Sequence, residues 1–193
     1  EGNFETLCDR QGSVHTLSLG AGAVWYTAMR DMGLTEIYCL KDGKEEKLTA
    51  FNDGLLAERD VCPVEEFTFT YKDVELDGYV MKPAGFDPEK KYPIISVVYP
   101  GPYFGFVPTN FTLDDSYCTR MAQLGFIVIT VGHRGDTPMR GKAYHRYGYG
   151  NMRDYPLEDD KYAIEQLAQR HSFIDGKKVG IYGHSGGGFM AAA

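Results

Sequence analysis

The chain has 193 residues, 43% hydrophobic and 24% charged, with a formal net charge of −7. The acidic balance, with no basic run longer than Lys-Lys, excludes a nucleic-acid surface, because neutralising phosphates takes clustered Lys and Arg. No apolar stretch approaches a membrane span, and Cys8, Cys39, Cys62 and Cys118 form no CxxC or Cys/His cluster suited to a metal, so they read as buried free thiols.

The amino terminus, EGNFETLCDR, has neither a basic start nor an apolar core and lacks an initiating Met. It is therefore no signal peptide, and the chain reads as cut at both ends. Three β-rich runs follow, AVWYTAMR (23–30), EIYCLK (36–41) and KLTAF (47–51), with Asp42-Gly43 at a hairpin turn. Residues 1–62 thus read as a short β-meander, in the manner of one propeller blade. EEFTFTY (65–71) alternates Phe67, Phe69 and Tyr71 with threonines, the pattern of a strand with one buried face, and VELDGYVMKP (74–83) pairs with it.

From there the texture becomes α/β. IISVVY (94–99) and FIVITVG (126–132) are continuous apolar runs, expected of strands buried on both faces of a mostly parallel sheet. DDSYCTRMAQLG (114–125) reads as a helix stopped by Gly125. In DYPLEDDKYAIEQLAQR, Pro156 suits a first helical turn, and Leu157, Ile164, Leu167 and Ala168 make an apolar stripe. Glu158, Asp159 and Asp160 are assigned to that first turn, favoured by the helix dipole. KKVGIYG (177–183) is expected as a third buried strand.

The chain closes on GIYGHSGGGFMAAA. A bare G-x-S-x-G is weak evidence in a chain with 23 glycines, but this one lies between a strand and a helix, where such an elbow belongs. Ser185 would sit at the strained apex, Gly183 and Gly187 would let helix and strand approach, and the Gly186 N–H would face a forming oxyanion. His184 is excluded as the base, because adjacent side chains at the turn diverge. Tyr99, read from the residues alone, is a half-buried aromatic at a strand end. Arg134 is expected to pair ionically and hold the long loop 132–153; His133, His145 and His171 read as loop or surface residues. The aromatic run PYFGFVP (102–108) either lines a substrate path or packs the loop.

The run DGYVMKPAGFDPEKKYPIISVVYPGP, the HRG that follows the second apolar strand, HRYGYGNMRDYPLEDD and the serine elbow together resemble the prolyl oligopeptidase family of serine peptidases, in its dipeptidyl peptidase IV-like branch. The resemblance is strong from about residue 76 onward and weaker before it. It implies an α/β fold: an incomplete α/β-hydrolase sheet over 63–193, truncated after the elbow, preceded by a propeller's last blade over 1–62. It also implies that Ser185 is the nucleophile, that Tyr99 and the Gly186 N–H form the oxyanion site, and that the catalytic Asp and His lie beyond Ala193, leaving the isolated chain inactive. The implied reaction removes Xaa-Pro or Xaa-Ala dipeptides from peptide amino termini, with no cofactor and no metal. Family members of this kind usually carry an aromatic residue after the serine and Trp before it; here those places hold Gly186 and His184, which puts tight proline selection in doubt. Alternatives are an endopeptidase, acylaminoacyl-peptidase or esterase of the same fold, or a non-catalytic interaction module. The expected partners are a peptide substrate and a second copy paired through an open sheet edge. The family's bacterial members imply the cell envelope, with the cytoplasm as the alternative.

Overall fold

The computed structural model describes residues 3–10, 12–31, 33–101, 107 and 118–193. The chain divides into two compact units, with the boundary after Val61.

The first unit is an antiparallel meander of β1 (Ser13–Gly20), β2 (Ala23–Met29), β3 (Glu36–Lys41) and β4 (Lys44–Lys47), followed by the short helix α1 (Asp53–Ala57). Asp42 and Gly43 both have positive φ, 50° and 72°, as a two-residue hairpin turn requires. The third run was expected at 47–51, but the strand lies at Lys44–Lys47. Two buried carboxylates explain the displacement. Glu45 turns inward to accept from Tyr26, Arg10 (2.7 Å) and Arg30 (2.9 Å). Glu36 accepts from Thr49, from the N–H of Phe51 (3.2 Å) and from that of Asn52 (2.9 Å), which bends the chain away from the sheet. Tyr26 and Tyr38 stack at 5.9 Å over Ala28 and Leu40 to make a small core. Cys8 and Cys39 are half-buried here, whereas Cys62 and Cys118 in the second unit are buried; all four are free thiols.

The second unit is a five-stranded sheet in the order β5-β6-β8-β7-β9, with β5 at Val64–Tyr71, β6 at Val74–Met81, β7 at Tyr92–Val98, β8 at Ile127–Val131 and β9 at Ile174–Gly183. Its helices are α2 (Cys118–Gln123), α3 (Lys142–His145), α4 (Asp154–Arg170) and α5 (Gly186–Ala192). The sheet is mixed rather than mostly parallel. β7 runs parallel to β8 and β9, but the tight Lys72-Asp73 hairpin makes β5 and β6 antiparallel, and β6 is antiparallel to β8.

β8 is buried over its whole length. Ile127, Ile129 and Val131 pack with Ile94, Leu76 and with Ala163 and Leu167 of α4, while Val128 packs on the other face with Val97, Tyr79 and Ala122 of α2. Truncating any of these wholly buried aliphatics to Ala costs about 2–5 kcal/mol. Phe69 is buried, and Phe67 and Tyr71 half-buried, on the inward face of β5, as their alternation predicts. Gly125 ends the α2 region at φ 95°; residues 114–117 of the expected helix lie outside the described residues, as does 102–108 apart from Val107.

Two expectations about buried faces fail. β9 is not a buried strand: Val179, Ile181 and Tyr182 are all exposed. Among the described residues β9 pairs only with β7, so its apolar run sits at the sheet edge. Leu157 likewise faces outward. The inner face of α4 is instead Tyr155, Pro156, Asp159, Asp160, Ala163 and Leu167, a helical repeat that includes two carboxylates. Because α4 begins at Asp154, Glu158 to Asp160 occupy its second turn, beyond the reach of the dipole's strongest effect.

Candidate active site

β7 and β9 run side by side, in register from Ile94↔Val179 to Val98↔Gly183, so their carboxyl ends finish together. β9 then breaks at His184 and Ser185 and resumes as α5 at Gly186. Ser185 has φ 53° and ψ −116°, the mirror image of extended backbone, which an L side chain occupies at a cost of about 1–3 kcal/mol. Two close approaches hold it there. A Cβ on Gly187 would overlap the Val98 carbonyl oxygen, and a Cβ on Gly183 would overlap the backbone of Gly187. Glycine at both places lets the helix sit against the strand ends, and the remaining torsion falls on Ser185.

The Ser185 hydroxyl is exposed and does not cap α5, although Ser185 stands at the N-cap position. Gly186 opens the helix, so its N–H has no partner within the helix. The backbone is locked on both sides of it, with Gly187 N–H donating to His184 O (2.8 Å) and Phe189 N–H to Ser185 O (3.0 Å). Tyr99 follows the last residue of β7, and its Cζ lies 3.9 Å from the point where a Gly186 Cβ would stand. Thus Ser185, Gly186 and Tyr99, 87 positions apart at the extremes, meet at one sheet edge. The Gly186 position is open: the nearest other atom to its notional Cβ is Pro100 O at 3.7 Å, an ordinary contact. Its lack of a side chain is not imposed by crowding.

Beneath the strand ends lies a buried polar cluster. Arg134, 1% exposed, donates from Nε to Asp159 Oδ1 (2.7 Å) and from NH1 to the Tyr147 hydroxyl (2.6 Å), while its own backbone N–H donates to Asp159 Oδ2 (3.0 Å). Its guanidinium lies 4.8 Å from the Tyr147 ring centre and 5.2 Å from that of Tyr71. Arg134 therefore ties the loop after β8 to α4, as its expected ion-pairing role requires. Burial pushes the Tyr155 phenol up to about 12, with Asp159 and Asp136 adding to the shift. The Lys72 hydrogen bond (2.6 Å) holds the exposed Glu158 carboxyl below its ordinary value.

His133 departs from expectation. It lies on a loop, yet it is wholly buried, with Nε2 3.4 Å from Asp160 Oδ1. Ser96 of β7 donates to the same oxygen at 3.0 Å. Ser96 was overlooked in the sequence, where a lone hydroxyl in the otherwise apolar run IISVVY was its only signal. Among the described residues no group of three or more His, Cys, Asp or Glu is placed to hold a metal ion, and no helix is long and apolar enough to cross a membrane.

The family model for the prolyl oligopeptidase family matches residues 112–193, the stretch that includes His133, Arg134, Asp159, Asp160 and the elbow. The chain belongs to the prolyl oligopeptidase family. Two curated relatives agree. The "Uncharacterized peptidase YuxL" of Bacillus subtilis is 31% identical over 158 residues, covering 81% of this chain and 23% of that protein. Human "Dipeptidyl peptidase 8" is 31% identical over 134 residues, covering 68% of this chain and 15% of that protein. This prolyl oligopeptidase-family chain therefore spans less than a quarter of either relative. In fold it is similar to the Pyrococcus horikoshii acylaminoacyl peptidase, with a TM-score of 0.76 at 24% identity over 94% of this chain and 28% of the other. The α/β sheet with its preceding meander is accordingly part of a propeller and α/β-hydrolase architecture.

Proposed function

We propose that the chain carries the nucleophile and the oxyanion site of a serine peptidase that releases dipeptides from peptide amino termini. The observation that carries this reading is Ser185, exposed at φ 53° and not engaged in capping, beside Gly186 and Tyr99. Ser185 Oγ attacks the scissile carbonyl carbon while its proton passes to a histidine base. The Gly186 N–H and the Tyr99 O–H donate to the oxyanion as charge develops on it. Collapse of the tetrahedral intermediate breaks the C–N bond, the base returns the proton to the departing amine, and an acyl ester remains on Ser185. Water then repeats the sequence and frees the acid.

Among the described residues no histidine is hydrogen-bonded to Ser185, and His184 is excluded because adjacent side chains at such a turn diverge. We therefore assign the base and its orienting carboxylate to residues outside these 193, residues 63–193 to the first part of a catalytic domain, and 1–62 to the last blade of a propeller. A second reading is favoured by Gly186: with no side chain to wall the pocket, an endopeptidase, acylaminoacyl-peptidase or esterase of the same fold would accept a broader acyl group.

A fluorophosphonate probe with mass detection tests the assignment. The 193-residue chain is expected to remain unlabelled, whereas a longer polypeptide reaching through the hydrolase domain is expected to be labelled at Ser185. That longer form should cleave Xaa-Pro and Xaa-Ala anilides faster than acetyl-aminoacyl anilides; the reverse order selects the second reading. Labelling of the short chain, lost in Ser185→Ala, would overturn the placement of the base outside it.

A further inference from the structure

The carboxylates around His133 outnumber the cations. Asp136, Asp159 and Asp160 are all buried, and among the described residues Arg134 and His133 are the cationic side chains buried with them. Arg134 is spent on Asp159, through both its side chain and its backbone. Asp160 receives the Ser96 hydroxyl and has His133 Nε2 as its remaining neighbour, while its Oδ2 has no hydrogen-bond partner. A neutral imidazole would leave Asp160 as a buried carboxylate with no cation, which proteins avoid at a cost of several kcal/mol. Burial alone would favour loss of the imidazole proton, but Asp160, then Asp159 and Asp136, lift its pKa above the ordinary 6.5. The groups facing it are thus Asp159 and Asp160 from α4, Ser96 from β7, and Asp136 and Arg134 from its own loop. From α3 the Tyr144 hydroxyl donates to the His133 carbonyl at 3.3 Å.

Ser96 gives the pair its reach. It lies two residues before Val98, whose carbonyl is the surface against which Gly187 is seated, and three before Tyr99. Ser96 also pairs in register with Ile181 of β9, the strand that leads into Ser185. We propose that His133 is a positioning residue for the elbow: as an imidazolium on Asp160 it fixes, through Ser96, the strand on which Gly186 and Gly187 are seated. The inference concerns the geometry of the elbow and holds whether or not Ser185 acts as a nucleophile. Removing the proton frees Asp160 from His133, loosens the tie between α4 and β7, and shifts the strand end under the elbow.

The test is a pH titration of the isotopically labelled chain by NMR, following the imidazole nitrogens of all five histidines and the backbone amides of Gly186 and Gly187. His133 is expected to remain an imidazolium past pH 6.5. Asp160→Asn, which keeps the shape and removes the charge, should move the His133 midpoint down. The Gly186 and Gly187 amides should shift with the His133 midpoint in the parent chain, and should lose that inflection in Ser96→Ala while His133 still titrates. A His133 already neutral at pH 6 would overturn the proposal. So would elbow amides blind to its midpoint, which would mark the cluster as structural without reach to the site. Either result leaves the probe-labelling test of the peptidase reading unaffected.

Discussion

Each unit closes its core around buried carboxylates, but the two do so with opposite balances. In the meander, Glu45 gathers Arg10, Arg30, Tyr26 and Cys8, so one buried negative group faces two cations, of which Arg10 is shared with the exposed Asp31. In the sheet unit three buried aspartates face Arg134 and His133, and the buried His133 nitrogens, Asp160 Oδ2 and Tyr155 hydroxyl have no hydrogen-bond partners. The first cluster is over-supplied with donors and behaves as a staple. The second is short of them, and its state depends on a proton. Burial opposes charge on Glu45, yet the bonds from Tyr26, Arg10 and Arg30 hold its carboxyl below the ordinary value, whereas His133 is held above its own.

The largest expected effect comes from breaking the sheet-unit cluster at its buried guanidinium. Arg134→Met leaves Asp159 buried and unpaired, and should destabilise the unit by about 3–5 kcal/mol, read as a drop in the urea midpoint. Glu45→Gln in the meander should cost less, about 2 kcal/mol, because Arg10 is partly exposed and can return to water. Trp25, the single tryptophan of the chain, lies in β2 and reports that unit by fluorescence. If the two substitutions cost the same, the contrast in balance has no energetic content.

The contrast is sharper in pH. Glu45 has a lowered pKa in the folded chain, so its contribution is complete above 4.5 and is lost as pH falls through the folded value. His133 has a raised pKa, so its contribution is complete below 6.5 and is lost as pH rises through the folded value. Trp25 fluorescence should therefore show the meander weakening in acid. Amide exchange, corrected for its intrinsic pH dependence, should show α4 losing protection in mild alkali. Weakening of both units in the same direction would refute the scheme.

Two smaller effects separate charge from the other costs the sheet unit carries. Ser185→Gly relieves the torsion at the elbow and should raise stability by about 1 kcal/mol, because glycine enters the mirror-extended region freely. A neutral or negative result would show that the elbow is not strained. Val179→Lys, on the exposed edge of β9, should change stability by no more than about 0.5 kcal/mol. We further propose that this edge pairs with a second copy of the chain, so the same substitution should abolish concentration-dependent association in sedimentation experiments.

The elbow was legible because its constraints are local: the glycine spacing encodes close approaches that only glycine permits, and the apolar runs on either side name the strand and the helix. Arg134 was legible as an ion-pairing residue from its place in a loop that needed an anchor. His133, Ser96 and the inner face of α4 were not, because periodicity rules treat charge as outward. They cannot anticipate that Asp159 and Asp160 turn inward to meet cations supplied some 25 residues earlier. The exposure of β9 was hidden for a different reason. An apolar run states what a strand would bury, and the described residues offer β9 a neighbour on one side only.

The open space at Gly186 separates two tasks that one residue would otherwise bind together. Donation to a forming oxyanion needs only the backbone N–H, fixed by the turn whatever side chain follows Cα. Which acyl group fits would depend on that side chain, and the described surroundings, at 3.7 Å and beyond, leave room for its Cβ. Under the proposed function, selectivity at this elbow is thus a removable fitting on a permanent mount, adjustable by a single codon without moving the chemistry.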